Sequence, residues 1–243
     1  MVCIAPPIVM GDGIADAIEA FSKGDPVMIF DSDFRERETD LLWPAAKATP
    51  EIMRRLRKDC GGLLFLAIGD EIGEKFGLPW LQDIHSTSSI VADNPVLGQL
   101  ITNDLQYDSR SAFTLSLNHR ETYTGITDRD RALTTRRFGE LAGEVSELSN
   151  SEAMEALGKE FRTPGHIPLC RESPGGLSKR QGHTELAVAI ARLSGNIPCT
   201  IGAEMLDPEG DGALSLQEAR KYAEEHGIPM ITGNDILESM DMV

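Results

Sequence analysis

Two spacings of apolar residues alternate along this chain. Apolar positions at helical spacing predict seven helices, at 12–21, from 49 to about 60, at 69–76, from 128 onward, at 146–160, 185–193 and 215–226. Short apolar or alternating runs predict five strands, at 27–30, 63–68, 112–117, 167–170 and 199–203. Asp12, Thr49 and Ser215 are the predicted N-caps of their helices. The polar stretch 84–110 is predicted to be a long irregular loop.

The order of these elements indicates a fold class. Strands and helices alternate, but the strands are short and unevenly spaced, and the chain shows no internal repeat, no low-complexity linker and no clean domain boundary. This pattern favours a single α+β domain over residues 1–243, with a mixed β-sheet flanked by helices. The pattern leaves the order of the strands open.

Charge narrows the range of partners. The chain carries 23 Lys and Arg against 39 Asp and Glu, a net charge of −16. Nucleic acids and anionic membranes both bind basic surfaces, so neither is an expected partner. To bind a phosphorylated substrate, the protein would need a few basic side chains at the site, so that the local charge is positive despite the negative net charge.

Cysteine spacing and hydropathy indicate the compartment. Cys3, Cys60, Cys170 and Cys199 form no CxxC pair, which favours separate reduced thiols over a disulfide framework or a zinc site. The N-terminus lacks the basic start of a signal peptide, and no apolar run reaches the roughly 18 residues that a membrane span needs. We therefore expect a cytoplasmic protein. No GxGxxG fingerprint for a nucleotide is present, and no organic cofactor is expected.

The stretch 31–40 (DSDFRERETD) holds five carboxylates directly after a buried strand. A solvated surface loop is the ordinary explanation of such a charge run. However, the buried strand fixes the position of the loop that follows it, as in many active sites. Closely spaced carboxylates also suit a hard cation such as magnesium.

The segment 180–185 (RQGHTE) opens into a helix. A helix N-terminus favours an anion, Gly182 allows close approach of the backbone, and Arg180 can grip a phosphate with two hydrogen bonds. Thr184 is suited either to bind the anion or to cap the helix. A capped helix with a surface histidine explains the segment equally well.

Two further residues stand next to predicted strands. His166 follows a Pro-Gly turn at the mouth of the strand 167–170, and Glu204 leaves the apolar strand 199–203. A histidine at such a place is more often structural than catalytic. A carboxylate at the end of a buried strand indicates a functional residue, although a plain surface position is the alternative.

Six segments taken together resemble the monofunctional, archaeal-like 3,4-dihydroxy-2-butanone 4-phosphate synthases, and the resemblance covers nearly the whole chain. The segments are the DSDxRExETD loop, RKDxGGL at 57–63, TxTGIT at 122–127 followed by DRDRA, FRTPGH at 161–166, RQGHTE at 180–185 and an AEM–DG segment at 203–212. One departure is Phe65, where family members often have a cysteine.

The resemblance implies an activity: conversion of ribulose 5-phosphate into 3,4-dihydroxy-2-butanone 4-phosphate and formate, for riboflavin. It implies Mg²⁺ held by Glu36 and His183. Imidazole is not a preferred magnesium ligand, so Mn²⁺ is an alternative. His166 and Glu204 correspond to the acid/base pair, and the implied substrate contacts are Arg35, Asp40, Thr124, Arg180, Gly182 and Thr184. It also implies a homodimer, in which we expect His166 to reach the site of the opposite subunit.

Three other functions are compatible with parts of the sequence. Residues 207–218 match the spacing of an EF-hand calcium loop, which would make the chain a regulatory module. Pro208 and the S-x-x-E capping box at Ser215 argue against calcium. A sugar-phosphate isomerase or aldolase would share enediolate chemistry, and release of formate separates it from the synthase. A fused cyclohydrolase domain is not expected, because the chain lacks a zinc-type cysteine cluster.

Overall fold

The computed structural model describes residues 13–101, 104, 105, 108 and 110–242. Across these residues the chain forms one mixed sheet of seven strands, in the order β4-β5-β3-β6-β2-β1-β7. The strands are β1 (Val27–Phe30), β2 (Thr39–Pro44), β3 (Phe65–Ile68), β4 (Phe113–His119), β5 (Phe161–Arg171), β6 (Cys199–Glu204) and β7 (Met230–Thr232). Only the pairs β1–β7 and β3–β5 are parallel. The prediction of an α+β fold with a mixed sheet is confirmed.

The helices cover both faces of the sheet. They are α1 (Gly13–Lys23), α2 (Pro50–Arg55), α3 (Asp70–Lys75), α4 (Leu81–His85), α5 (Ser88–Asp93), α6 (Leu97–Leu100), α7 (Asp128–Glu144), α8 (Asn150–Glu160), α9 (His183–Leu193), α10 (Leu216–His226) and α11 (Gly233–Ser239). Buried apolar residues of α1, α9 and α11 form one core with one sheet face, and those of α2 and α7 pack on the other. Strands covered on both faces read as continuous apolar runs, which is why β1, β3 and β6 stand out in the sequence.

Side-chain caps define several helix starts. Thr49 accepts a hydrogen bond from the N–H of Ile52 at the start of α2, and Ser215 accepts one from Glu218 at the start of α10. Both caps confirm the sequence prediction. The predicted cap Asp12 lies outside the described residues, as does Cys3. The described cysteines Cys60, Cys170 and Cys199 are free and buried, in line with the prediction.

Three predictions of local structure are corrected. The stretch 84–110 contains helical turns, namely the end of α4 and all of α5 and α6, whose four to six residues are too few for a periodic pattern. Strands β2 and β7 and helix α11 were not predicted. Strand β5 begins at Phe161, six residues before the predicted strand, so the Pro-Gly pair lies inside a strand and not in a turn before it.

Among the described residues, no helix has the length and apolar character required to cross a bilayer.

Candidate active site

Five of the predicted site residues line one cavity of about 540 Å³. It lies on the α9 face of the sheet, beside the N-terminus of α9, and it is lined by Glu36, Arg180, His183, Thr184 and Glu204 together with residues of the segment after α6. We call the group Asp31, Glu36, Asp40, His183 and Glu204 the acidic pocket. It gathers residues that lie far apart in the sequence.

Asp31 organises the acidic loop between β1 and β2. One of its carboxylate oxygens accepts a hydrogen bond from the N–H of Glu36 at 2.9 Å, and the other accepts one from the N–H of Glu38 at 3.0 Å. The Asp31 side chain is buried, whereas Phe34 on the outer side of the loop is 97% exposed. The loop therefore has a fixed inner edge that turns Glu36 toward the cavity.

Three carboxylates surround the imidazole of His183. Its Nε2 lies 3.3 Å from Glu36 Oε2 and 3.6 Å from Asp31 Oδ2, and its Nδ1 lies 2.9 Å from Asp40 Oδ2. Burial by itself would lower the pKa of His183, but the carboxylates, Asp40 foremost, outweigh it and raise the pKa to about 9. A positive charge is thus strongly favoured at this point.

The same atoms fit a divalent cation. Asp31, Glu36 and His183 each offer one ligand atom within 4.8 Å of the others, and no other group of this kind occurs in the described part of the chain. The buried Nε2 of His183 has no hydrogen-bond partner among the described residues, although two carboxylates face it. A cation between them would satisfy all three groups. The sequence analysis includes Asp31 in the acidic stretch suited to a cation but does not single it out as a ligand.

Asp40 holds the other side of the imidazole. It lies in β2 with a side chain that is only 1% exposed, next to Nδ1 of His183. A carboxylate on the second nitrogen of a ligand histidine fixes the ring orientation and the tautomer. This position explains how Asp40 supports the cation site, while its predicted contact with substrate stays a prediction.

Two arginines converge on Asp108. Its Oδ2 lies 2.9 Å from Nε and 2.8 Å from Nη2 of Arg180, and 3.4 Å from Nη2 of Arg35. Arg180 also donates to the buried carboxylate of Glu185. Asp108 is nearly buried, with 12% of its side chain exposed. This carboxylate, which the sequence did not single out, occupies the place between two guanidinium groups where an anionic ligand would bind.

Gly182 and Thr184 lie at the start of α9. The helix begins at His183, two residues before the predicted start, and Gly182 is its N-cap without a side-chain hydrogen bond. Thr184 is therefore inside the first turn and is not the cap. A Cβ atom on Gly182 would come within 2.2 Å of Arg180 Nη1. Glycine at this position thus leaves room for the guanidinium of Arg180.

Glu204 ends β6 beside Asp40 of β2. Its Oε2 accepts a hydrogen bond of 2.6 Å from the N–H of Leu63, and a Cβ atom on Gly62 would come within 2.4 Å of the same oxygen. Burial first, and the negative charge of Asp40 second, raise the pKa of Glu204 to about 7. A carboxyl group with this pKa can take and return protons near neutral pH.

His166 and Thr124 belong to a different place. His166 is exposed on β5 and contacts the side-chain amide of Asn118 on β4. Thr124 is exposed in a turn whose main-chain N–H groups bind the carboxylate of Asp130. Neither residue lines the cavity. We call Asn118, Thr124, Gly125 and the stretch 163–166 the β4–β5 bulge region.

The cavity also contains Phe65 and a thiol. Phe65 of β3 and Cys170 of β5 both line it. Burial, followed by the negative charge of Glu204, raises the pKa of Cys170 to about 12, so this thiol stays protonated at neutral pH. An aromatic ring therefore stands where family members often have a cysteine, and the neighbouring strand contributes a neutral thiol.

Residues 207–218 form a turn and a helix cap. The carboxylate of Asp207 accepts a hydrogen bond from the N–H of Glu209, and Leu206 forms a β-bridge with Ala213. The carboxylate of Glu218, which would be the last calcium ligand, instead accepts a hydrogen bond from the hydroxyl of Ser215 at 2.7 Å. These contacts give the carboxylates of Asp207 and Glu218 structural roles that need no calcium.

The α+β fold and the convergence of carboxylates, imidazole and guanidinium groups on one cavity are typical of the active site of an enzyme. The family model for 3,4-dihydroxy-2-butanone 4-phosphate synthase matches residues 15–239. The chain belongs to this family.

Relatives of similar length support this assignment. The 3,4-dihydroxy-2-butanone 4-phosphate synthase of Methanothermobacter thermautotrophicus is 41% identical over 226 residues, which cover 93% of this chain and 95% of the relative. The synthase of Archaeoglobus fulgidus is 43% identical over 224 residues, or 92% of each chain. A solved structure of a synthase in complex with two magnesium ions is 26% identical, with a TM-score of 0.71 over 95% of this chain and 97% of that one.

Proposed function

We propose that this enzyme converts D-ribulose 5-phosphate into L-3,4-dihydroxy-2-butanone 4-phosphate and formate, which supplies carbon atoms for riboflavin. One observation carries the proposal: Glu204, with a pKa of about 7, opens into the same cavity as the cation-binding side chains of Glu36 and His183. Relatives of the same length bear the name of this activity. We further propose that residues 1–243 act as a single domain.

The residues that we propose for the cation are Glu36 and His183, joined by Asp31. Mg²⁺ is the proposed ion, with Mn²⁺ as an alternative, because the site combines hard carboxylate oxygens with one imidazole. When bound there, the ion would supply electrostatic stabilisation of the negative charge that develops on the sugar oxygens. Asp40 keeps the imidazole of His183 turned toward the carboxylates of the site.

The phosphate group is proposed to bind at the start of α9. Thr184 lies in the first turn of that helix, where main-chain N–H groups and the helix dipole attract an anion. Arg180 and Arg35 supply the positive charge, and Gly182 leaves room for the Arg180 guanidinium. Because Asp108 lies between the two guanidinium groups, an incoming phosphate has to displace its carboxylate.

Proton transfer is proposed for Glu204 and His166. The reaction needs removal of a proton from a carbon next to the ketone, loss of a hydroxyl group, a skeletal shift and release of one carbon as formate. Glu204 is held by the Leu63 N–H and has a pKa near neutrality, so its carboxylate suits the removal and return of that proton. His166 is proposed to act on the substrate oxygens.

We propose a homodimer in which His166 and Thr124 serve the acidic pocket of the opposite subunit. Both residues are exposed and lie outside the cavity of their own chain, although the family motifs include them. A two-fold axis is the commonest symmetry of soluble oligomers, and it would bring the β4–β5 bulge region of one subunit to the cavity of the other.

The deciding experiment is incubation of the enzyme with ribulose 5-phosphate and Mg²⁺ while formate is measured. Formate in equal amount to the substrate consumed supports the synthase activity. Consumption of substrate without formate would indicate the isomerase or aldolase alternative, and an enzyme fully active in excess EDTA would contradict the role of the cation.

Subunit mixing tests the dimer. Inactive Glu36→Ala chains are mixed with inactive His166→Ala chains under conditions of proven subunit exchange. Random pairing makes half of the dimers mixed, and each mixed dimer has one site with both native residues, so about a quarter of the native activity should return. If both residues serve the same chain's site, mixing restores no activity.

A further inference from the structure

We propose that Asn118 is a positioning residue that holds the neutral ring of His166 in the tautomer with its proton on Nε2. His166 would then present an N–H donor to a substrate oxygen, which leaves Glu204 as the base. This inference rests on the proposed function for the substrate, but the state of the ring can be tested without any turnover.

The backbone around His166 is fixed by an interruption of the sheet. Leu117 pairs with Ile167, whereas the next residue, Asn118, pairs with Arg162, so the four residues 163–166 bulge out of the β4–β5 ladder. A Cβ atom on Gly165 would come within 1.9 Å of the Leu117 carbonyl carbon, so only glycine allows this approach. The bulge is thus pressed directly against the backbone of β4.

Hydrogen bonds from the bulge to β4 hold it in this place. The hydroxyl of Thr163 donates to the carbonyl oxygen of Ser116 at 2.9 Å, and the N–H of Gly165 donates to the Ser116 hydroxyl at 3.2 Å. The N–H of His166 donates to Oδ1 of Asn118 at 2.8 Å. The position of the His166 backbone is therefore determined by two residues of β4, Ser116 and Asn118.

The last of these bonds orients the side-chain amide of Asn118. A main-chain N–H can bond only to the oxygen of the amide, so the Asn118 oxygen faces the His166 backbone and the amide nitrogen faces the ring. That nitrogen lies 3.1 Å from Nδ1 of His166, whereas the oxygen, already bonded to the main chain, lies 3.3 Å away. Since an amide nitrogen only donates and is the nearer of the two atoms, the geometry favours Nδ1 as the acceptor, with the proton of the neutral ring on Nε2.

Gly125 leaves the space that the Asn118 amide occupies. A Cβ atom at this position would come within 2.2 Å of the Asn118 amide nitrogen and 2.5 Å of its oxygen. Gly125 also has a backbone φ of +93°, which residues with a side chain rarely adopt. Asn118 itself is 4% exposed. The amide is therefore buried between the TGIT turn and the imidazole, and the bond from the His166 N–H sets its orientation.

The consequence concerns the division of roles. A neutral imidazole whose Nδ1 accepts a hydrogen bond presents only an N–H at its other nitrogen. Through this N–H the ring can donate a hydrogen bond to a negatively charged substrate oxygen and stabilise it, without giving up the proton. An aspartate at position 118 would do the opposite, because a carboxylate accepts and would draw the ring proton to Nδ1.

Long-range ¹H–¹⁵N NMR spectra of the histidine rings test the inference at a pH where His166 is neutral. A His166→Gln variant identifies the signals of this ring. We expect a protonated Nε2 and an unprotonated Nδ1 in the native protein, and the reverse in Asn118→Asp, which is close to isosteric. A native ring protonated on Nδ1 would overturn the proposal, and this reading remains decisive even if Asn118→Asp does not fold.

Kinetics supply the second reading. Asn118→Asp should lower kcat about 10-fold or more with little change in KM, because the ring stays in place and only its donor is misplaced. A folded variant with reversed tautomer and full kcat would contradict the link between tautomer and catalysis. If native enzyme released no formate at all while its ring carried the Nε2 proton, the proposed function would fail and the assignment of the tautomer would stand.

Discussion

The acidic pocket and the β4–β5 bulge region position their functional groups by different physical means. In the acidic pocket, Asp31, Asp40 and Glu36 surround one imidazole, and charge attraction draws residues together from separate elements. In the bulge region, His166 is held by neutral hydrogen bonds and by close backbone contact at Gly165. The first arrangement shifts pKa values, and the second fixes the direction and tautomer of a ring.

Because the two regions are held by different interactions, they should be sensitive to different mutations and solution conditions. Buried like charges are costly unless a cation or a proton accompanies them, so the acidic pocket should respond to metal, pH and loss of a single carboxylate. The bulge region contains few charges, so it should respond to changes of shape and of hydrogen-bonding capacity.

Glu36→Ala should abolish most activity, by about 1,000-fold, because a cation that stabilises developing charge contributes several kcal/mol. Formate release measures activity, and calorimetry with Mn²⁺ measures metal binding, which should weaken in parallel. Asp33→Ala is the matched control, since Asp33 lies in the same loop with 70% of its side chain exposed. Native activity of Glu36→Ala would remove this residue from the cation site.

His166→Ala should lower kcat by about 100-fold, because the variant loses the ring N–H that donates a hydrogen bond to negative charge on a substrate oxygen. Metal binding and the stability of the acidic pocket should not change, because His166 is not one of the groups that would hold the cation. His226→Ala, at an exposed histidine in neither region, serves as the control. If His166→Ala weakened Mn²⁺ binding as much as Glu36→Ala does, the separation of the two regions would be wrong.

Glu204→Gln should raise stability at alkaline pH while it impairs catalysis. Glu204 has a pKa of about 7 in the folded protein against 4.5 as the ordinary value, so the native state binds the proton more tightly and the free energy of unfolding falls as pH rises through this window. Glutamine has no such proton. Discounted for partial exposure, the variant should gain about 2 kcal/mol at pH 8 and little at pH 4.

Urea unfolding of both proteins at the two pH values, with EDTA present, measures this difference. The native hydrogen bond from the Leu63 N–H can persist, because the glutamine oxygen also accepts. If the variant were equally destabilised at both pH values, burial of the Glu204 carboxylate would not lower the stability of the native protein at alkaline pH.

Asp108→Asn should tighten the binding of inorganic phosphate about tenfold, equivalent to about 1.4 kcal/mol. The carboxylate that competes for Arg35 and Arg180 is removed, while the shape of the side chain is kept. Calorimetric titration with phosphate measures the affinity. Glu225→Gln, which alters an exposed carboxylate paired with Lys221 outside the cavity, should leave it unchanged. Weaker binding in Asp108→Asn would mean that Asp108 orients the arginines and does not compete with the anion.

Calcium should have no effect on the segment 207–218. Acidic residues alone do not make a cation site, and Glu218 here bonds to the cap residue Ser215. Calorimetry with micromolar Ca²⁺ should show no binding heat at this segment. A stoichiometric heat that disappears in Asp207→Ala would show that acidic spacing outweighs the capping arrangement and would restore the calcium function.

Local patterns allowed much of this protein to be predicted from its sequence. Strands β1, β3 and β6 are continuous apolar runs, and the caps Thr49 and Ser215 act within a few residues of themselves. The resemblance of the motifs to a known family implied the roles of Glu36 and His183, and Glu204 also stood out because it ends an apolar strand. Short elements were not predicted, because three residues in β7 and four in α6 are too few to show a periodic pattern of apolar residues.

Only the tertiary structure decided which of these residues meet. Asp31, Asp40 and His183 are neighbours because β2 pairs with β1 and β6 in the middle of the sheet and α9 crosses above them, and strand order is not encoded in any local pattern. Asp108 could be recognised only from the structure, which places its carboxylate next to both Arg35 and Arg180. His166 was predicted as a site residue together with Glu204, yet it lies on the long strand β5 outside the cavity of its own chain. Local propensity determines the elements, whereas long-range pairing and packing determine the site.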